Sequence, residues 1–208
     1  MAKLCAVGYK ADKDVVDSDV IILGGGHNGL VTAGYLARQG LSVIVLERRD
    51  IVGGACMTEE LFPGYRFSSC SYICYLLQSS IIDDLALRQH GFEVFQTNPS
   101  RFQPYPDGSR LLFWKDLERT QEEIARISPC DAERYPEWLA FWKRAASIIH
   151  PYFLTEPPTI GEIGTRMHNT EDEAFFDRLL TISVKDLLGE LFESEQVQGA
   201  LCHAHDVG

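Results

Sequence analysis

A glycine-rich hexamer near the start of the chain could hold a phosphate group. Residues Gly24–Gly29 read Gly-Gly-Gly-His-Asn-Gly, with Gly24, Gly26 and Gly29 at the fixed positions of a G-x-G-x-x-G turn. The first fixed glycine permits a tight strand-to-helix turn, the second lets the backbone approach a pyrophosphate, and the third allows close helix–strand packing. The free N–H groups that begin the next helix then face the phosphates.

Such a turn must be positioned by a strand before it and a helix after it. Asp19–Leu23 is a short apolar run of the buried-strand type, and small and apolar residues recur at helical spacing from Leu30 to Ala37. Gly40 is placed to end that helix, and Ser42–Leu46 is a second apolar run. The pattern predicts a strand–helix–strand unit whose parallel strands are hidden on both faces.

A carboxylate follows the second predicted strand. Glu47 lies 23 residues after Gly24, where an acidic side chain can accept hydrogen bonds from a ribose diol and disfavours a 2′-phosphate. With both flanking elements present, the sequence predicts a dinucleotide site rather than a glycine turn without a ligand. His27, inside the turn, either contacts the pyrophosphate or is a solvent-facing spacer, because backbone groups do the phosphate binding.

The segment that begins at Glu47 indicates which kind of dinucleotide the site binds. Residues 47–54 read Glu-Arg-Arg-Asp-Ile-Val-Gly-Gly, and nothing in a nicotinamide dehydrogenase requires that basic residue and glycine pair. The segment resembles the Glu-x-Arg-x-x-x-Gly-Gly pattern of flavoproteins of the amine-oxidase and phytoene-desaturase superfamily. Within it, Asp19–Gly29 and Phe192–Glu195 are similar to the phytoene desaturase-like branch.

The resemblance is strongest over residues 19–70, and it implies an FAD-dependent oxidoreductase. It implies an α/β fold with a Rossmann-type FAD-binding domain that starts with the βαβ unit, followed by a mainly helical part of a substrate domain. The expected division is a flexible tail over residues 1–18, FAD-domain sequence over 19–100, and substrate-domain sequence over 101–208. The residues assigned to FAD are Gly24, Gly26, His27, Asn28, Gly29, Glu47, Arg48, Arg49, Gly53, Gly54 and Ala55.

Within that set the resemblance implies separate roles. Arg49 is expected near the adenosine end or the pyrophosphate, and Gly53 and Gly54 let backbone approach the flavin side of the pyrophosphate. Ala55 is a departure, because many members of the superfamily carry arginine directly after the glycine pair. A second departure is length: relatives run to several hundred residues and have a late Gly-Asp segment, which this chain lacks.

The expectation is therefore an N-terminal fragment or truncated gene product of such an enzyme. Two other functions stay open at this point. One is an NAD-dependent dehydrogenase, against which the glycine pair after Arg49 argues. The other is a non-catalytic module that has kept the nucleotide-binding fold.

No catalytic residue is identified, because a flavin carries out the hydride chemistry itself. Ser68, Ser69, Ser71 and Tyr72 are candidates to lie near the isoalloxazine, where the chain returns in relatives, or they form an ordinary polar loop. The aromatic residues Trp138, Phe141, Trp142 and Phe153 would suit an apolar small-molecule substrate, but helix packing explains them equally well.

The cysteines do not form a recognisable redox motif. Cys56 follows the glycine pair, but position 61 is Leu61 and not the second cysteine of a disulfide reductase, and Cys70 and Cys74 have the wrong spacing. Free thiols are expected, as in a cytoplasm-like compartment. The cluster Cys202–Asp206 has no second group of ligands, so no metal site is predicted.

The remaining patterns concern local structure and partners. They predict a hairpin of 102–105 with 110–114, helices over 81–90 and from a Thr120 capping box, a helix ending before Pro151, and a helix over 184–192. A net charge of -11 argues against a nucleic-acid partner, and no run of 18 apolar residues predicts a transmembrane helix. The expected location is cytoplasmic, or mitochondrial in a eukaryote by family resemblance alone.

Overall fold

The computed structural model describes residues 17–71, 73–74 and 76–202. The chain divides into two compact units, Met1–Phe95 and Gln96–Gly208. Most of the expected N-terminal tail, the candidate site residue Tyr72 and positions 203–206 of the cysteine–histidine cluster lie outside the described residues.

The first unit begins with the predicted strand–helix–strand motif. Strand β1 (Val20–Leu23) pairs in parallel with strand β2 (Val43–Leu46), and helix α1 (His27–Arg38) connects them. Gln39 caps α1, and Gly40 follows with a φ of +87°, a left-handed conformation that favours glycine. The α/β start of the fold is therefore confirmed.

An antiparallel hairpin follows, which no pattern in the sequence predicts. A single 3-10 turn, Gly54–Cys56, leads into strand β3 (Thr58–Phe62), which pairs with strand β4 (Tyr65–Ser68) across Pro63–Gly64. Its strands mix polar residues with exposed Leu61, Phe62, Tyr65 and Phe67, so they lack the regular apolar alternation that marks a half-buried strand.

The helix predicted over residues 81–90 is wrong as a single element. Helix α2 spans only Ser79–Asp84, and a separate 3-10 turn spans Leu87–His90. Ala86 lies between them in a left-handed conformation, with a φ of +50°, which interrupts the helical hydrogen bonds. Gly91 ends the segment as expected, with a φ of +88°.

The second unit opens with the predicted hairpin, formed by strand β5 (Arg101–Pro104) and strand β6 (Arg110–Phe113). The rest of its described part is helical, which confirms the predicted helical remainder. Its helices are α3 (Leu117–Ala125), α4 (Pro129–Ile149), α5 (Ile160–Met167), α6 (Glu173–Thr181), α7 (Val184–Leu191) and α8 (Glu195–Leu201).

The predicted start of α3 at Thr120 is wrong. Asp116 is its N-cap and accepts a hydrogen bond from the Arg119 N–H at 2.9 Å. Thr120 lies inside the helix, where its hydroxyl accepts from the Trp114 N–H at 2.9 Å. A Ser/Thr-x-x-Glu spacing recurs by chance inside polar helices, and Asp116 caps at least as well as threonine.

The buried apolar cores lie in the second unit. The larger one gathers side chains from β6, α3, α4, α7 and α8, among them Leu111, Ile124, Trp138 and Val197. In the described part of the first unit, Met57 is the buried apolar side chain. Within the described residues, no helix is both long and apolar enough to cross a membrane.

Candidate dinucleotide-binding site

The glycine turn continues the parallel ladder and then bends sharply into α1. The Gly24 N–H donates to the Leu46 carbonyl oxygen at 2.8 Å, and Gly24 has a φ of +104°. A Cβ at Gly29 would lie 2.2 Å from the Gly24 carbonyl oxygen, well inside van der Waals contact. Strand and helix therefore approach so closely that glycine is required at both ends of the turn.

Gly26 differs from the other two glycines of the motif. It caps α1 in an extended conformation, with a φ of -74° and a ψ of 175°, that any residue can adopt. The nearest atom to a Cβ placed there would be the Gly54 Cα at 3.9 Å, an ordinary contact. The packing of the protein does not require glycine at this position. The effect of Gly26 is to leave open space in front of the helix.

The start of α1 presents unpaired backbone donors. The first helical bond runs from the Leu30 N–H to the Gly26 carbonyl oxygen at 2.9 Å, so the N–H groups of the preceding three residues have no partner within the helix. The first turn contains no acidic side chain that would neutralise the positive end of the helix dipole. His27 and Asn28 are exposed, so their side chains leave this end of the helix open.

Glu47 connects the turn to the loop after β2. One carboxylate oxygen accepts from the Gly25 N–H at 2.8 Å, and the other accepts from the Arg49 N–H at 2.9 Å. These backbone bonds, from Arg49 first and then Gly25, lower the pKa of the Glu47 carboxyl. Each oxygen keeps a further lone pair, so the ionised carboxylate can still accept a hydroxyl from a ligand.

The Gly53–Gly54 pair lies directly against the glycine turn. The Gly53 N–H donates to the Gly25 carbonyl oxygen at 2.7 Å, and a Cβ at Gly54 would lie 2.9 Å from the Gly26 Cα. Both residues have positive φ, 122° and 55°. The fold thus brings the two glycine segments, far apart in sequence, into backbone contact.

Gly25 belongs to the site although the sequence motif does not mark it. It is buried, its N–H is held by Glu47, and its carbonyl oxygen is held by Gly53. A Cβ there would lie 3.0 Å from a methyl group of Val52. The run of three glycines was the available signal, because the motif itself requires only the first and the third of them.

The basic residues after β2 are placed differently from one another. The Arg49 guanidinium forms an ion pair with Glu59 on β3, and both side chains are partly exposed. Arg48 and Ala55 are exposed. Glu59 had no motif to mark it, since only the unexpected hairpin brings it to Arg49.

The serine segment Ser68–Ser71, which begins at the last residue of β4, is hydrogen-bonded to the residue after the Gly53–Gly54 pair. The Ser71 N–H donates to the Ala55 carbonyl oxygen at 3.1 Å, and the Ser68 hydroxyl donates to the Ser71 carbonyl oxygen at 2.7 Å. Ser71 therefore contacts the 3-10 turn Gly54–Cys56 directly, and Ser68 is connected to that turn through Ser71.

The aromatic residues of the second unit contact one another. Trp138 is buried against Phe192, and Phe141 packs between Trp142 and Phe175 with ring centroids 5.3 and 5.0 Å apart. Phe153, which is exposed, lies against His150. Helix packing accounts for Trp138 and Phe141, whereas Phe153 stays exposed.

The cysteines within the described residues are free thiols: Cys56, Cys70, Cys74, Cys130 and Cys202. Over residues 17–71, 73–74 and 76–202, no three histidine, cysteine, aspartate or glutamate side chains are grouped so as to hold a metal ion.

Parallel strands, the glycine turn, an open helix start and an acidic residue after the second strand define a Rossmann-type dinucleotide-binding unit. Residues 22–79 match the family described as NAD(P)-binding Rossmann-like domain.

The chain is similar to pyridine nucleotide-disulfide oxidoreductase domain-containing protein 2 of Rattus norvegicus, with 38% identity over 152 residues. That alignment covers 70% of this chain and 26% of the relative. A limonene dehydrogenase polypeptide of Castellaniella defragrans is 42% identical over 125 residues, covering 60% of this chain and 23% of the relative. Phytoene desaturase of Neurospora crassa is 34% identical over 125 residues, covering 58% and 21%.

By sequence, the chain is thus similar to proteins named as oxidoreductases, among them a phytoene desaturase. It spans about a quarter of the length of the first of these relatives. Among solved structures, a cofactor-site redesign of putrescine oxidase aligns with a TM-score of 0.47 and 23% identity, over 87% of this chain and 35% of that one.

Proposed function

We propose that this chain is the FAD-binding portion, with part of the substrate domain, of an FAD-dependent oxidoreductase of the dehydrogenase or desaturase type. Residues 19–100 would contribute to the FAD-binding domain and residues 101–208 to a mainly helical substrate domain. The names of the relatives support an oxidoreductase: they include a limonene dehydrogenase and a phytoene desaturase.

The observation that carries the proposal is the contact between the two glycine segments. Gly53 and Gly54 lie against Gly25 and Gly26, so that two stretches of bare backbone meet at the start of α1. A nicotinamide site requires only the first of these stretches. A second glycine pair at the phosphate turn favours the longer, flavin-bearing dinucleotide over NAD.

Each group of the site has a proposed task. The N–H groups at the start of α1 bind the pyrophosphate, and Gly26 leaves space for it. Glu47 accepts the ribose hydroxyls of the adenosine half. The bound flavin supplies a hydride acceptor, and the protein binds and orients it.

The proposed substrate is a small organic molecule that gives up a hydride. Relatives act, by their names, on limonene and phytoene, which are apolar. The aromatic side chains of the second unit do not add support for an apolar substrate, because they are engaged with one another.

The test begins with the visible absorption spectrum of the purified chain, followed by denaturation to release any bound FAD. A flavin spectrum, or a yellow complex after FAD is added, is the expected result. A colourless chain whose full-length relative binds FAD would mean that this portion lacks a required part of the site. If the relative also stays colourless, the flavin proposal is wrong, and NAD binding or a non-catalytic fold replaces it.

A pair of glycine variants then locates the site. We expect Gly26→Val to abolish FAD binding in a folded protein, because its side chain takes the space of the pyrophosphate, while a Cβ at this position lies 3.9 Å from the nearest protein atom. Gly189→Val on α7 is the control, since that position also has open space but lies outside the site. Titration with FAD, followed by flavin fluorescence, measures both; full affinity in Gly26→Val would refute the phosphate assignment.

A further inference from the structure

Backbone hydrogen bonds continue the β3–β4 hairpin beyond its strands. Within the hairpin, Thr58 pairs with Ser68. Two bonds keep that register past the strand ends, from the Ser69 N–H to the Met57 carbonyl oxygen at 3.4 Å and from the Ser71 N–H to the Ala55 carbonyl oxygen at 3.1 Å. Cys56 lies between the two acceptors, at the end of the 3-10 turn Gly54–Cys56, and Cys70 lies between the two donors. The two bonds therefore bring the backbones of Cys56 and Cys70 close together.

The position of this cysteine pair suits a cross-link. Backbone segments joined by N–H to carbonyl bonds of this kind lie about 4.7–4.9 Å apart. Disulfides span Cα separations of about 4.4–6.8 Å. Cys56 and Cys70 are both exposed free thiols, so an oxidant can reach them.

The burial of the surrounding residues agrees with this accessibility. Cys56 and Cys70 are exposed, as are Thr58 and Ser68 at the last pair of the hairpin. Met57, between Cys56 and Thr58, is buried.

We propose that Cys56 and Cys70 are a redox-sensitive dithiol, oxidised to a disulfide by a low-molecular-weight disulfide such as oxidised glutathione. One thiolate attacks the glutathione disulfide, forming a mixed disulfide and releasing one glutathione thiolate. The second protein thiolate attacks the mixed disulfide at the protein sulfur and releases the second glutathione. Two electrons pass from the protein to glutathione, and both thiol protons end on the released glutathione or in solvent.

The cross-link would tie the serine segment to the 3-10 turn that carries Gly54. Since Gly54 contacts Gly26, oxidation fixes the second glycine segment where it meets the first. The dithiol itself does not depend on the proposed flavin, because its geometry comes from the hairpin alone.

The experiment treats the purified chain with oxidised glutathione, then blocks the remaining thiols and digests with trypsin. In the fraction of chains that intact mass shows to carry no glutathione adduct, the thiol titre after denaturation is expected to fall from six to four, because one disulfide consumes two thiols. Cleavage at arginine separates peptide Asp50–Arg66 from peptide Phe67–Arg88. The proposal is supported if the two peptides are found linked within one chain and a reductant separates them. It is refuted if the two free peptides disappear but a reductant does not restore them, or if the linked peptides occur only in a dimer of two chains.

Peptide Phe67–Arg88 contains both Cys70 and Cys74, so the partner must be identified. Fragmentation of the linked wild-type peptides is expected to place the bond on Cys70. Cys70→Ser should lose the link, and the matched variant Cys74→Ser should keep it. A link to Cys74, or glutathione adducts on both cysteines with no link between them, would overturn the assignment.

Discussion

Gly26 and Gly29 belong to one motif, yet the structure gives them different reasons to be glycine. At Gly29 the reason is the protein, because a Cβ would lie 2.2 Å from the Gly24 carbonyl oxygen. At Gly26 it is the proposed ligand, because a Cβ would meet nothing nearer than 3.9 Å. A substitution can therefore separate loss of folding from loss of binding.

We expect Gly29→Ala to destabilise the first unit by about 1–3 kcal/mol, since strand and helix must move apart to admit the methyl group. Urea unfolding measured by circular dichroism gives the change. Gly26→Ala serves as the comparison and should unfold at nearly the wild-type urea concentration. Equal midpoints for the two variants would contradict the difference in packing.

Glu47 combines a structural task with its proposed binding task. Gln is nearly the same size, but it offers one acceptor oxygen where the carboxylate uses two, for the Gly25 and Arg49 N–H groups. We expect Glu47→Gln to weaken FAD binding while Glu60→Gln, on the neighbouring hairpin, leaves it unchanged. Isothermal titration measures both, and equal affinities would remove Glu47 from the site.

The pH dependence of that binding follows from the same bonds. The pKa of Glu47 is lowered in the folded chain, so its stabilising contribution is complete above its unfolded pKa and is lost as the pH falls through the folded value. Protonation also removes the charged acceptor proposed for the ribose hydroxyls, so FAD affinity should fall as the pH drops through the folded pKa of Glu47 in the wild type. This component should be absent in Glu47→Gln, as isothermal titration at several pH values would measure.

At the scale of elements, a buried carboxylate joins α4 to the loop before α8. Asp131 is fully buried, and its two oxygens accept from the Glu193 N–H at 2.8 Å and the Ser194 N–H at 3.0 Å. Ser128 adds a bond from its hydroxyl to the Glu193 carboxylate at 2.9 Å. The segment Phe192–Glu195, noted for its resemblance to the phytoene desaturase-like branch, is held by these contacts.

We expect Asp131→Asn to lower stability by about 1–3 kcal/mol, because one N–H donor then loses its charged acceptor in a buried place. Asp177→Asn, at an exposed position on α6, is the matched control and should leave stability unchanged. Thermal and urea unfolding provide the measurement. An unchanged midpoint in Asp131→Asn would show that this loop is held by its apolar contacts alone.

At the scale of the whole molecule, the two units differ in how well their apolar side chains are covered. Parallel strands are usually covered on both faces, yet Ile21 and Leu23 on β1 are 58% and 81% exposed. The predicted burial of these strands on both faces is thus wrong for the described residues. In the second unit, by contrast, Trp138 and Val197 lie in a closed core.

We therefore expect amide hydrogen exchange to be slower in α4 and α7 than in β1 and β2 of the free chain. Addition of FAD should slow exchange selectively in the glycine turn and the first turn of α1, since the ligand would occupy those N–H groups. Mass spectrometry of peptides from both units provides the comparison. Uniform protection across the units would contradict the difference in packing.

The sequence by itself determined the parts whose causes are local. The glycine turn, its strands, α1 and Glu47 lie within 30 residues of chain, where spacing and backbone freedom decide the structure. The helix that ends before Pro151 and the helix over 184–192 followed in the same way from their apolar periodicity. The misplaced start of α3 shows the limit of local motifs, because two residues competed to cap one helix.

Only the tertiary structure decided which distant residues meet. Phe62 pairs with Tyr65 at the Pro63–Gly64 turn, and that register, extended outward, would place Ser71 opposite Cys56. An irregularity between Glu60 and Phe62 shifts the pairing by one residue and places Cys70 there instead. A one-residue shift exchanges the two faces of a strand. No local pattern in β3 and β4 fixes this shift, because neither strand has a buried apolar face.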